Sequence, residues 1–174
     1  TVVSKSRHMC NSMTCFRRSP CIPLPDYTIF ARWTSTVALV KYAMQKFGAK
    51  KLGLVLVNNP WGESNEKGLK AAVAALAGKV EMVGIEKLEQ TDVDVTPQLL
   101  RLKAAGADCI VLVANAAPGA QMMKSRDRMG WKVPVVSHWG ISGGRFDELV
   151  GETAGDVHFV QTYSFFSKPT DVSK

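Results

Sequence analysis

Three short stretches hold the residues best suited to touching a small molecule. They are Asn58-Asn59-Pro60-Trp61-Gly62, Asn115-Ala116-Ala117-Pro118 and His138-Trp139-Gly140. Amides hydrogen-bond polar groups, indoles offer broad apolar faces, and an imidazole carries one donor and one acceptor. Asn58, Asn59, Trp61, Asn115, Ala116, His138 and Trp139 therefore form a candidate binding set. A structural reading of each piece stands beside it. Asn-Asn-Pro is ordinary turn chemistry, Trp61 can be a core aromatic, and His138-Trp139 can be buried structure.

No catalytic set emerges. The histidines are His8, His138 and His158, and none sits in a recognisable nucleophile–base pattern. A phosphate-binding turn would read GxGxxG or GxxxxGK[ST] after the first strand, whereas the text there is NNPWGESNE. A receiver domain needs clustered acids near that strand and an aspartate ending the third. Those positions hold Asn58, Asn59, Ala114 and Asn115. Gly140-Ile-Ser142-Gly-Gly lacks the spacing of a hydrolase elbow. The chain reads as a non-enzyme.

Metal chemistry would have to come from the first residues, where Cys10, Cys15 and Cys21 follow His8. Their spacing contains no CxxC pair, and zinc needs a fourth ligand and closed geometry. Incidental thiols or one loose disulfide fit better, so neither metal nor cofactor is expected. Cys109 opens an apolar run and reads as a small buried hydrophobe.

The elements that must position the binding set follow from composition and period. The chain has 174 residues, 46% apolar and 21% charged, which suits one folded domain and excludes disorder throughout. No stretch approaches the 18 or so unbroken apolar residues of a membrane-spanning helix. The opening TVVSKSRHMC has no apolar h-region, so no secretory signal is expected there. Lys5, Arg7, Arg17 and Arg18, without an acid, give residues 1–24 a charge of +4 out of the total +7. The remaining +3, with no basic-aromatic stripe, argues against nucleic acid as a partner. Residues 1–24 read as a poorly ordered or non-native arm, and 25–174 as the folded unit.

Within that unit five apolar runs predict strands near 52–58, 80–87, 109–114, 133–138 and 157–161. Helices are expected between them: 36–47 capped by Thr34 or Ser35, one from the Asn58–Gly62 loop to Ala77, one from Pro97 to Gly106, one from Pro118 to Gly130, and a short one over 146–150. Strands separated by helices at βαβ spacing form a doubly wound parallel sheet, α/β in class. For five strands the expected order is 2-1-3-4-5. A ligand in such a fold lies beyond the carboxyl ends of the strands at the switch point. The loops arriving there carry Trp61, Asn115 and His138-Trp139.

The segments AKKLGLVLVNNPWG (49–62), TDVDVT (91–96), LKAAGADCIV (102–111) and LVGETAGDVH (149–158) together resemble one family. From Tyr27 to about Pro169 the chain is similar to the second lobe of type I periplasmic solute-binding proteins. The nearest branch is the branched-chain amino acid receptors of ABC transporters. The resemblance implies two α/β lobes clamping a ligand, an extracytoplasmic location, delivery to membrane permease subunits, and no catalysis. It also implies that this chain is a fragment whose first lobe is missing. Lobe two of the family contributes an aromatic after its first strand, here Trp61. A second aromatic comes after the third strand, where Asn115 and Ala116 stand instead. An acid that pairs with the ligand ammonium follows the fourth strand, and here that position is Trp139. A tryptophan-lined, acid-free half-site implies a small amino acid-like, apolar or aromatic solute. The alternative within the same fold is an extracytoplasmic sensory domain of a signalling receptor.

Overall fold

Side chains that alternate between two apolar layers build the sheet. In a computed structural model, which describes residues 21–23, 31–76, 78–142 and 145–161, the strands are β1 (Cys21–Pro23), β2 (Lys51–Val57), β3 (Glu81–Leu88), β4 (Cys109–Val113), β5 (Val135–Ser137) and β6 (Val157–Gln161). Their order is β1-β6-β5-β4-β2-β3, and every neighbouring pair is parallel. The five strands expected from sequence are β2 to β6 and stand in the expected 2-1-3-4-5 order. The sequence reading is one strand short. Cys21–Pro23 pairs with Phe159–Gln161 at the end of the sheet, so the last residues of the expected arm join the fold. Residues 1–20, with His8, Cys10 and Cys15, lie outside the described residues.

Helices α1 (Ala31–Phe47) and α2 (Pro60–Ala75) cover one face, and α3 (Thr96–Ala104), α4 (Ala116–Arg128) and α5 (Phe146–Val150) the other. Leu52, Leu54 and Leu56 of β2 pack with Leu39, Val40 and Leu69 on the first face. Val55 of the same strand packs with Leu99 and Leu102 on the second. In β4, Ile110 and Leu112 turn toward α3 and α4, while Val111 and Val113 turn toward α1 and α2. Burial on both faces is why these strands are apolar at consecutive positions. Cys109 is fully buried, and burial, with Asp108 adding to it, pushes its thiol up to about 12. It is an inert core residue, as its sequence context implies.

Several boundaries differ from expectation, among them three helix starts. α1 begins at Ala31, ahead of the Thr34 or Ser35 cap. α2 begins at Pro60, because Asn59 accepts the Gly62 N–H at 2.8 Å and proline tolerates the first helical position. α4 begins at Ala116, so Pro118 lies within its first turn.

Candidate functional site

β2 is the switch point of the sheet: the chain passes from β2 to β3 on one side and returns past β2 to β4 on the other. Residues following β2, β4 and β5 therefore gather at one edge, where a parallel sheet offers its carboxyl ends.

The turn after β2 is tightly built. A Cβ on Gly62 would lie 1.9 Å from the Val57 carbonyl oxygen, so only glycine lets α2 start this close to its strand. Asn59 caps the helix, and Asn65 donates its amide to the Trp61 carbonyl at 2.8 Å, fixing the first turn. Trp61 thus rides on a rigid helical turn. After β5 the chain enters a 3₁₀ turn, Trp139–Ser142, held by the Ser142 hydroxyl donating to the Trp139 carbonyl at 2.6 Å. The Ser137 hydroxyl lies 2.9 Å from the Leu112 carbonyl, and the His138 N–H donates to the same carbonyl at 3.0 Å. Those bonds tie the end of β5 to the end of β4.

Three rings meet at this edge. Trp61 and His138 have centroids 5.7 Å apart at 75°, Trp61 and Trp139 are 6.1 Å apart at 59°, and His138 and Trp139 are 5.5 Å apart at 50°. These are tilted and edge-to-face contacts, the geometries aromatic quadrupoles favour. Burial grades across the trio. His138 is buried, Trp61 is partly buried, and Trp139 is 46% exposed, a large apolar surface left uncovered.

The seven candidate residues divide accordingly. Trp61, His138 and Trp139 come together. Asn115 caps α4 without a side-chain bond to it and is exposed, and Ala116 is partly buried against the core. Asn58 gives its amide to Glu89 at 2.5 Å and Asn59 is engaged as the α2 cap, so both serve the local architecture. Sequence reasoning missed Asn65 and Ser137. Asn65 had a signal, four residues after Trp61 on a helix; Ser137 had none beyond ending a strand. Among the described residues no group of three or more His, Cys, Asp or Glu side chains could hold a metal ion, and no helix is long and apolar enough to cross a membrane. The arrangement offers apolar ring faces and suits binding.

Among solved structures, the chain is similar to a type 1 periplasmic binding protein from Bordetella pertussis Tohama I. The identity is 25% and the TM-score 0.62, covering 68% of this chain and 31% of that one. A branched-chain amino acid ABC transporter protein from Thermus thermophilus with bound valine is 26% identical with a TM-score of 0.63, covering 69% and 31%. An ABC transporter solute-binding protein from R. palustris in complex with 4-hydroxybenzoate is 26% identical with a TM-score of 0.56, covering 63% and 30%. The chain spans about a third of the length of these structures. No curated protein matches it significantly. The family model described as periplasmic binding protein matches residues 24–172, nearly the whole chain, and the chain belongs to that family.

Proposed function

We propose that this chain is the ligand-binding lobe of an ABC-transporter receptor for a small amino acid-like, apolar or aromatic solute. The observation that carries the reading is the Trp61–His138–Trp139 cluster at the carboxyl edge of the sheet, with Trp139 46% exposed. Indole faces at a sheet edge offer dispersion and apolar burial to a planar or branched body. The solute is bound and released unchanged, so no catalytic group is needed. Membership of the family supports a receptor outside the cytoplasm that works with permease subunits in the membrane. A second lobe would close on the same edge and bury the ligand, so this lobe alone binds weakly.

Weak binding is measurable by the indole N–H signals of the chain's tryptophans. In a titration with 4-hydroxybenzoate and, separately, L-valine, the Trp61 and Trp139 signals are expected to move together while Trp131 stays still. Single substitutions of each tryptophan by phenylalanine assign the signals. Titration to the solubility limit of both probes without movement at Trp61 or Trp139 rejects this solute class.

A further inference from the structure

The three loops of the edge touch one another at a residue that has no side chain. Gly140 lies in the turn after β5, and an added Cβ there would stand 2.6 Å from Cη2 of Trp61, 3.2 Å from its Cζ2 and 2.8 Å from the carbonyl oxygen of Ala114. Trp61 follows β2, and Ala114 follows β4. The indole of Trp61 therefore lies across the backbone of Gly140, in space a methyl group would occupy. Contacts below about 3 Å between a Cβ and carbon or carbonyl oxygen force atoms apart in a close-packed interior. Trp61 is anchored through its own backbone by Asn65 and the α2 cap. Relief of the ring overlap would thus come mainly from rotation of the indole.

We infer that Gly140 is a positioning residue for the site: the absence of a side chain at 140 sets the tilt of Trp61, and so the angle it makes with Trp139. This rests on the reading of the edge as the solute site, where that angle shapes the surface a planar ligand meets. A bulkier residue at 140 would turn the ring and alter which solutes fit, without itself touching one. The competing role is purely structural, with Gly140 needed only to clear the Ala114 carbonyl.

Two measurements on the 174-residue chain separate these roles. Two indoles 6.1 Å apart at 59° couple their transitions, so the far-ultraviolet circular dichroism should carry an exciton couplet that Trp139→Phe abolishes. Gly140→Ala is expected to lose or invert most of that couplet while the helical bands persist; an unchanged couplet overturns the inference. The second measurement uses Trp61→Phe, which lacks Cη2 and Cζ2. In this background Gly140→Ala should cost much less of the thermal midpoint than in the parent, and the double variant should fold even where Gly140→Ala alone does not. An equal cost in both backgrounds, or a double variant that still fails to fold, assigns Gly140 to the Ala114 carbonyl and overturns the inference. Titration with 4-hydroxybenzoate, read at the Trp139 indole N–H, then tests the solute reading separately. A weakening of roughly tenfold in Gly140→Ala is expected, the scale of a well-placed aromatic contact. A lost couplet in Gly140→Ala, with no titration of the parent chain, upholds the positioning role and rejects the solute reading.

Discussion

The two ends of the parallel sheet are finished by opposite chemistry. At the amino ends, charged groups are paired within the chain. Arg126 is 1% exposed, donating to the Val133 carbonyl at 3.2 Å and pairing with Asp127 at 2.9 Å and Asp156 at 2.8 Å. Val133 leads into β5 and Asp156 into β6, so one guanidinium ties α4 to two strands. Nearby, the Asp108 carboxylate accepts the N–H groups of Lys50 and Lys51, joining the entries of β4 and β2. At the carboxyl ends the finishing groups are rings, and one of them remains nearly half exposed. Polar groups that find all their partners within the chain have nothing left to offer a ligand. An aromatic face left uncovered does. The contrast distinguishes an end built for stability from an end available for binding, and substitutions at each should separate along that line.

The largest expected effect is at the amino end. Arg126→Ala removes a buried side chain, leaves the Val133 carbonyl without its donor and releases two carboxylates. The expected loss is about 3–5 kcal/mol of unfolding free energy, seen as a lower urea midpoint. Arg126→Lys should recover only part of it, because one ammonium cannot reproduce the forked contacts. Solute binding by whatever fraction stays folded should be unaltered. A loss below about 1 kcal/mol would mean that Arg126 is not the tie described here.

Trp61→Ala comes next and should divide its effect. The ring is partly buried against Gly140 and the α1–α2 layer, so about 1–3 kcal/mol of stability is expected to go. A comparable loss of affinity for 4-hydroxybenzoate should accompany it. A much larger stability loss with unchanged affinity would make Trp61 a core plug and erase the contrast between the two ends.

Much of this contrast was legible in the sequence, unevenly. The apolar runs at 52–57 and 109–113 announced strands buried on both faces, and βαβ spacing with right-handed crossovers left few topologies, of which the commonest is the observed order of the five main strands. The short strand Cys21–Pro23 was not legible. It is three residues long, and its pairing with Phe159–Gln161 depends on a contact across more than 130 residues of chain. Trp61, His138 and Trp139 could be brought to one edge because topology delivers strand ends there. Their ring angles and the clearance at Gly140 depend on packing between loops distant in sequence, which no local pattern encodes. The same applies to Arg126. Within α4 it reads as an ordinary basic residue of a last turn, and only the approach of Val133 and Asp156 turns it into a buried tie.

A smaller effect is expected at His158, which lies between the two ends on β6. Its Nδ1 is 2.8 Å from the Tyr42 hydroxyl, and its ring meets Phe47 edge-on at 5.0 Å. Burial first, and then the Lys46 ammonium, hold the imidazole below its ordinary value, while Asp156 pulls the other way. The unfolded chain therefore takes up the proton more readily than the folded one. The stability contribution is complete above the ordinary histidine value of about 6.5 and is lost as pH falls from there through the folded value. In urea titrations between about pH 7.5 and 5, His158→Gln should flatten that slope. Tyr42→Phe should cost about 1 kcal/mol at neutral pH. A slope that survives His158→Gln would place the titrating group elsewhere.

Among the residues of the contrast, the smallest stability effect is expected where the consequence for binding is greatest. Trp139 is 46% exposed and meets Trp61 and His138 in tilted ring contacts, so the folded state leaves nearly half of it in water. Trp139→Ala should lower the unfolding free energy, read from urea titration, by about 1–2 kcal/mol, because nearly half of the residue is already in water in the folded state. The 3₁₀ turn is held by backbone and by the Ser142 hydroxyl, so its course should persist without the indole. If the carboxyl end is the binding end, the same substitution should abolish the shift of the Trp61 indole N–H on adding 4-hydroxybenzoate. The ratio of the two losses is therefore the sharpest measure of the contrast: near zero for Arg126→Ala, about even for Trp61→Ala, and dominated by binding for Trp139→Ala. A Trp139→Ala chain that binds as well as the parent would move the solute off this ring and leave Trp61 to be explained by packing alone.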